Sequence, residues 1–289
     1  MSLFLLLALV SCQLIDNDIL ALSHNSFFSS YHILQVSVMD LTFSLEIILM
    51  LTAVAALAGF IDAIAGGGGL LTIPAMLLAN IPPVLTLGTN KLQAASGALA
   101  ASITMIRKGV VKPQRIKVAI IAAFIGSVIG TIAVQMSPPD LLEKVIPFLI
   151  AAIGIYTLFA PRLGEVEAAP RISESKWQKV VAPLIGFYDG YIGPGTGMFF
   201  ALGNVALRGR QIIEATGAAK VLNLSTNIGS LIFFILGGNV LWKVGLAMMV
   251  GQTIGAYFGS HMVVKGGSKL IRPVIVLVCL AMLTKYVFG

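Results

Sequence analysis

Two aspartates, two lysines and two glycine clusters carry the polar chemistry of an otherwise apolar chain. Asp62 is followed four residues later by Gly66, Gly67, Gly68 and Gly69, and Asp189 four residues later by Gly193, Pro194, Gly195, Thr196 and Gly197. Downstream of each cluster a lysine with an amide neighbour sits inside an apolar run: Asn90 with Lys91, and Lys220 with Asn223. Glycine runs release the backbone from a helix and let it approach a ligand closely. The helix that restarts after such a break presents unpaired N–H groups and the positive end of its dipole, a pairing that favours an anion. A lysine beside it adds a full charge. The residues expected to bind substrate are therefore Gly66, Gly67, Gly68, Gly69, Asn90, Lys91, Gly193, Gly195, Thr196, Gly197, Lys220 and Asn223. Asp62 and Asp189 have a structural or a coupling role: they brace the break through its N–H groups, pair with the lysines, or carry a proton.

Each of these residues also has a blander reading. Glycine is favoured wherever membrane helices pack tightly. A lysine near a helix end extends toward the interface, which suits Lys91 better than Lys220. Asn90, Asn223, Thr226 and Asn227 either donate to an oxyanion or bind neighbouring helices, and Thr72, Thr89 and Thr196 are weaker candidates for a polar lining. Neither glycine run continues into Gly-Lys-Ser/Thr, so neither is a P-loop. A membrane-embedded enzyme would need a nucleophile–base pair or a metal cluster, and no His or Cys lies near either break. Cys12 and Cys279 are too far apart in sequence to read as a disulfide framework or a metal site. His24, His32 and His261 have no ligand spacing. No cofactor is expected.

The elements that position these groups follow from composition. The 289 residues are 57% hydrophobic and only 11% charged, with a mean hydropathy of +0.96, far too little charge for a soluble surface. Several apolar runs approach the ~20 residues that a membrane helix needs. The net charge of +7 sits mainly in short loops, where it sets topology and makes lipids, not nucleic acid, the surroundings.

The chain reads as one unit used twice. Asp62 aligns on Asp189 at an offset of 127 residues, while Lys91 on Lys220, Ser96 on Ser225, Gly126 on Gly255 and Gly130 on Gly259 share an offset of 129. Residues 1–38 form an atypical N-terminal extension, which suggests Met39 as the functional start. Residues 39–159 form a first transmembrane repeat, 160–180 a polar cytoplasmic linker, and 181–289 a second repeat. The expected segments of the first repeat are 43–64, a short piece 70–79 stopped by Pro82-Pro83, a helix opening at Gly88 and running to 106, then 118–135 and 141–159. The second follows with 181–192, 198–207, 211–236, 244–264 and 271–288. Arg107, Lys108, Lys112, Arg115 and Lys117 crowd one loop, whose counterpart holds only Lys243; Arg208 and Arg210 mark a turn whose counterpart is uncharged. Opposite charge bias in matched loops is the signature of repeats inserted in opposite orientations. The expectation is an all-α polytopic membrane protein of two inverted-topology helical repeats with glycine-broken helices. It has about ten crossings if the short pieces span, fewer if they are re-entrant.

At these residues the chain resembles the TauE/SafE family, the sulfite-exporter-like membrane transporters. The resemblance rests on Asp62 with Ala65–Gly69, then Pro74, then Gly88-Thr89-Asn90-Lys91; in the second half it rests on Gly186–Gly197, followed by Ala219-Lys220 and Asn223. It covers roughly residues 40–289, and Gly186-Phe187-Tyr188-Asp189-Gly190 is most similar to the YfcA-like branch, whose substrate the family does not fix. The resemblance implies a secondary carrier for a small, often sulfur-containing anion such as sulfite or an organosulfonate, in the bacterial inner membrane. Residues alone support an anion-compatible inverted-repeat transporter, and the leading expectation is transport of a small oxyanion or organosulfonate by alternating access. The competing readings are a passive anion channel and, more remotely, a membrane enzyme. A homo-oligomer is compatible with the sequence.

Overall fold

A computed structural model describes residues 42–159 and 169–263, together with Val36, Met39 and Asp40. The rest of the N-terminal extension, the first part of the linker, the loop at 265–270 and the last expected segment, 271–288, lie outside the described residues. Among the described residues every regular element is helical.

Helix α1 (Leu45–Ala65) starts where the Ser44 hydroxyl accepts from the Ile47 N–H, and ends at Gly66 in the left-handed region. The short α2 (Gly69–Leu78) follows, then α3 (Pro83–Arg107), α4 (Lys117–Gln135) and α5 (Pro139–Phe159). In the second half, Glu174–Lys176 and a π-helical segment Trp177–Val181 lead into α6 (Ala182–Tyr191). Then come α7 (Thr196–Arg208), α8 (Ile212–Leu236) and α9 (Trp242–Val263). Helix α3 opens at Pro83, five residues before the expected Gly88. Proline is accepted in the first turn because the N–H it lacks would have no helical partner there. Pro82-Pro83 therefore starts a helix besides stopping one, and Lys91 lies two turns inside it. That removes the basis for an interfacial Lys91.

Among the described residues, three helical stretches are long and apolar enough to cross a membrane: Leu45–Ile64, Pro113–Gln135 and Ile212–Leu236, with mean hydropathies of 2.4, 2.2 and 1.5. The first of these carries the buried Asp62 near its end, and the third the buried Lys220, Asn223 and Asn227. Helix α4 separates its two faces clearly. Ile121, Ile125, Ile129 and Ile132 are exposed, as a lipid-facing stripe would be, while Ala123, Gly126, Ser127 and Gly130 are buried.

The buried stripe packs on α6, and the contacts are exchanged between halves. A Cβ on Gly126 or Gly130 would run into the backbone of Pro183 and Phe187 on α6; one on Gly255 or Gly259 of α9 would run into the backbone of Ala56 and Phe60 on α1. The Ser96 hydroxyl on α3 donates to the Met249 carbonyl on α9 at 3.3 Å, and the Ser225 hydroxyl on α8 to the Ile120 carbonyl on α4 at 2.9 Å. Each pair maps onto the other at the offsets of the sequence repeat. Helices α3 and α8 run antiparallel. Gly88 near the start of α3 abuts Asn239 just past α8, and Gly217 near the start of α8 abuts Val110 and Val111 just past α3. The basic loop at 107–117 thus lies at the same end as Arg208 and Arg210. The remaining α9 end is pinned by Asp40, whose carboxylate accepts from the Lys243 N–H at 2.6 Å and the Val244 N–H at 3.2 Å.

Candidate functional site

The two glycine breaks meet face to face. Asp62 braces the first: its carbonyl accepts the Gly66 N–H at 2.7 Å and its Oδ1 accepts the Gly68 N–H at 3.2 Å. In the second, Gly193 and Gly195 both take positive φ, 95° and 79°. There Thr196 returns its hydroxyl to the Gly193 carbonyl at 2.7 Å, and the Tyr188 hydroxyl donates to the Pro194 carbonyl at 2.6 Å. The breaks cross at Gly66 and Gly197, where a Cβ on either residue would collide with the other's backbone, and the Met198 N–H donates to the Gly66 carbonyl at 3.3 Å. Only a residue without a side chain permits that approach, and at Gly66 the φ of +82° demands glycine as well.

Lys91 on α3 and Lys220 on α8 point into this crossing, each only 1% exposed. They are paired crosswise. Lys91 Nζ lies 2.8 Å from Asp189 Oδ1, and Lys220 Nζ lies 3.5 Å from Asp62 Oδ2 while also donating to the Asp62 carbonyl. Each lysine thus meets the aspartate of the other half. Burying four charges is costly unless each finds its partner, and removing one member leaves an uncompensated charge.

A cavity of about 20 Å3 opens between the pairs, lined by Asp62, Gly66, Gly69, Asn90, Lys91 and Ala94 from the first half and Asp189, Gly193, Gly195, Thr196, Gly197, Asn223 and Asn227 from the second. It has room for about one water. Of the residues expected at the site, Gly67, Gly68 and Lys220 stand outside the lining. Gly68 holds Asp62, and Lys220 reaches the cavity only through Asp62. The remaining expected residues all line it.

Two features escape a sequence reading. Thr72 and Gln93 both donate to the Asn90 carbonyl oxygen, at 2.6 and 2.7 Å. That leaves the Asn90 amide nitrogen facing the cavity, with no partner among the described residues. Gln93, three residues after Asn90 on the same helix face, had only that spacing to mark it. The second is asymmetry. The amides of the first half, Asn90 and Gln93, align at the repeat offset with Ala219 and Leu222, while Asn223 and Asn227 align with Ala94 and Ala98. The charged groups are duplicated, but the hydrogen-bonding groups are not.

The profile of the sulfite exporter TauE/SafE family matches residues 51–286. The chain belongs to the TauE/SafE family. Among its relatives, a "Probable membrane transporter protein" of Haemophilus influenzae is 45% identical over 244 residues, 84% of this chain and 96% of the relative. The "Probable membrane transporter protein YfcA" of Escherichia coli K12 is 46% identical over 235 residues, 81% and 87% of the two chains. "Probable membrane transporter protein YdhB" of Bacillus subtilis is 25% identical over 222 residues. No solved structure matches. The TauE/SafE match takes in both breaks, both Lys–Asp pairs and all the cavity residues, and the relatives place the chain among membrane transporters.

Proposed function

We propose that the protein is a secondary carrier of a small anion, with a sulfur oxyanion or a small organosulfonate as the substrate class, in the bacterial inner membrane. The observation that carries this reading is the pair of crosswise Lys–Asp bridges at the meeting of two broken helices. Asp189 and Asp62 occupy the lysines as an anionic substrate would. A substrate oxyanion takes the place of a carboxylate on Lys91 and receives the amide hydrogens of Asn90 and Asn223, with the start of α7 beside it. A small oxyanion needs more room than the present cavity, so the helices around it part when it enters.

Alternating access fits this arrangement. The halves are joined by exchanged contacts, and rocking one against the other around the site opens it first to one side and then to the other. In the membrane the two halves then lie in opposite orientations, with the loop at 107–117 and the turn at 208–210 on the cytoplasmic side. Reduction of the cavity to about one water's volume favours a carrier over a passive channel, which needs a continuous path.

Purified protein in detergent, heated with sulfite, sulfate, thiosulfate or methanesulfonate, tests the site. One of these anions raises the melting temperature of the wild type, and Lys91→Ala abolishes the shift. A stabilising anion whose effect survives both Lys91→Ala and Lys220→Ala removes the site. Counterflow of the labelled anion in proteoliposomes then separates a carrier from a channel, since only a carrier accumulates label against an unlabelled gradient.

A further inference from the structure

The two ion pairs look equivalent in sequence but differ in their surroundings. Asp62 is fully engaged. One oxygen accepts the Gly68 N–H, the other faces Lys220, and Lys220 is tied in addition to the Asp62 backbone carbonyl. Asp189 is not: Oδ1 meets Lys91, while Oδ2 is buried with no hydrogen-bond partner among the described residues. Lys91 in turn has Asp189 as its one ionic partner there. The Lys91–Asp189 pair can therefore open without breaking a backbone contact, and the Lys220–Asp62 pair cannot.

From this asymmetry we infer that Asp189 is the proton-binding group that couples anion movement to proton movement, an inference that rests on the carrier reading above. When the anion displaces Asp189 from Lys91, the carboxylate would remain buried and unpaired, a costly state. A proton from water on the open side binds Oδ2, neutralises the carboxyl and supplies an O–H that donates to the bound anion. Proton and anion leave together on the far side, and Asp189 closes on Lys91 again. The charged groups facing Asp189 are Lys91 from α3 and, across the cavity, the Asp62–Lys220 pair from α1 and α8. Helix α4 meets this part of α6 with the Ser127 backbone and the Thr131 hydroxyl, which donates to the Gly190 carbonyl, and Tyr188 on α6 itself is engaged with Pro194. In the empty carrier the four charges cancel. They cancel again with one monoanion and one proton bound, so a monoanion moves without net charge and a dianion carries one negative charge.

The test uses the full-length protein in proteoliposomes with thiosulfate, sulfate and methanesulfonate, anions that do not titrate near neutral pH, and a trapped pH-sensitive dye. Equal-pH counterflow is measured first; its absence with all three anions overturns the carrier reading and this inference with it. With an acid-outside gradient, wild-type vesicles accumulate the anion and the interior acidifies as it enters. Counterflow uses the loaded carrier alone, whereas net uptake requires the empty carrier to return. In Asp189→Asn that return leaves Lys91 buried without a partner. The ratio of gradient-driven uptake to counterflow then falls on the order of a hundredfold, while Asp189→Glu restores the gradient response. Anion uptake by the wild type without acidification overturns the inference, as does a gradient response that persists in Asp189→Asn. If Asp189→Asn fails to fold, the wild-type dye signal and Asp189→Glu decide the matter.

Discussion

Lys91 and Lys220 are chemically alike, equally buried, and matched in the repeat, yet each answers to the aspartate of the opposite half. Because the pairs are buried, their loss is felt in stability before transport is measured. Lys91→Ala leaves Asp189 uncompensated and should lower unfolding stability in detergent by about 3–5 kcal/mol. Adding Asp189→Ala to it should recover a large part of that loss, since the stranded charge is gone. Additive effects in this double-mutant cycle would remove the proposed partnership. The same cycle on Lys91 with Asp62 should show far weaker coupling. Sequence made the four charged positions legible, through their type and the shared offsets. It could not give their partners, because a repeat aligns each residue with its counterpart, whereas the contacts join a residue to the counterpart's neighbour.

The broken helices depend on backbone shape more than on side chains. Gly66 and Gly109 both lie in the left-handed region, at φ 82° and 71°, but only Gly66 has another backbone against it; at Gly109 a Cβ meets nothing within 4 Å. Gly109→Ala should therefore cost only the conformational strain of about 1–2 kcal/mol. Gly66→Ala should cost more than that and abolish transport, because the crossing with Gly197 must spread. Equal losses of stability and transport in the two variants would contradict a close crossing of the breaks. A smaller effect is expected at the start of α9, where Asp40→Ala removes the acceptor of two N–H groups and should cost about 1 kcal/mol, read as a lower melting temperature. The breaks were legible because consecutive glycines after an apolar run leave little alternative. The start of α3 was not, since Pro82-Pro83 ends one helix and begins another with the same residues. Nor was Gln93, whose role depends on Thr72 reaching Asn90 from a different helix.

At the scale of the whole molecule, what had to be added to the sequence was the way the halves interlock. Ser96 reaches α9 and Ser225 reaches α4, so each half's third helix bonds to the other half's fourth. The opposite charge bias of matched loops agrees with α3 and α8 running antiparallel. It leads to a labelling prediction: on a background lacking Cys12 and Cys279, single cysteines at Lys112 and Gly238 should react with an impermeant thiol reagent from opposite sides of the membrane. Labelling of both from one side would exclude oppositely inserted halves.

Crosswise pairing also bears on how the chain is made. Asp62 and Lys91 leave the ribosome long before their partners Asp189 and Lys220 exist, so the first half enters the bilayer carrying charges that nothing yet neutralises. It has to wait, held open or shielded, until the second half arrives. Neither half should mature alone, yet the two expressed as separate polypeptides in one cell should find each other, because the information for joining them is written in both.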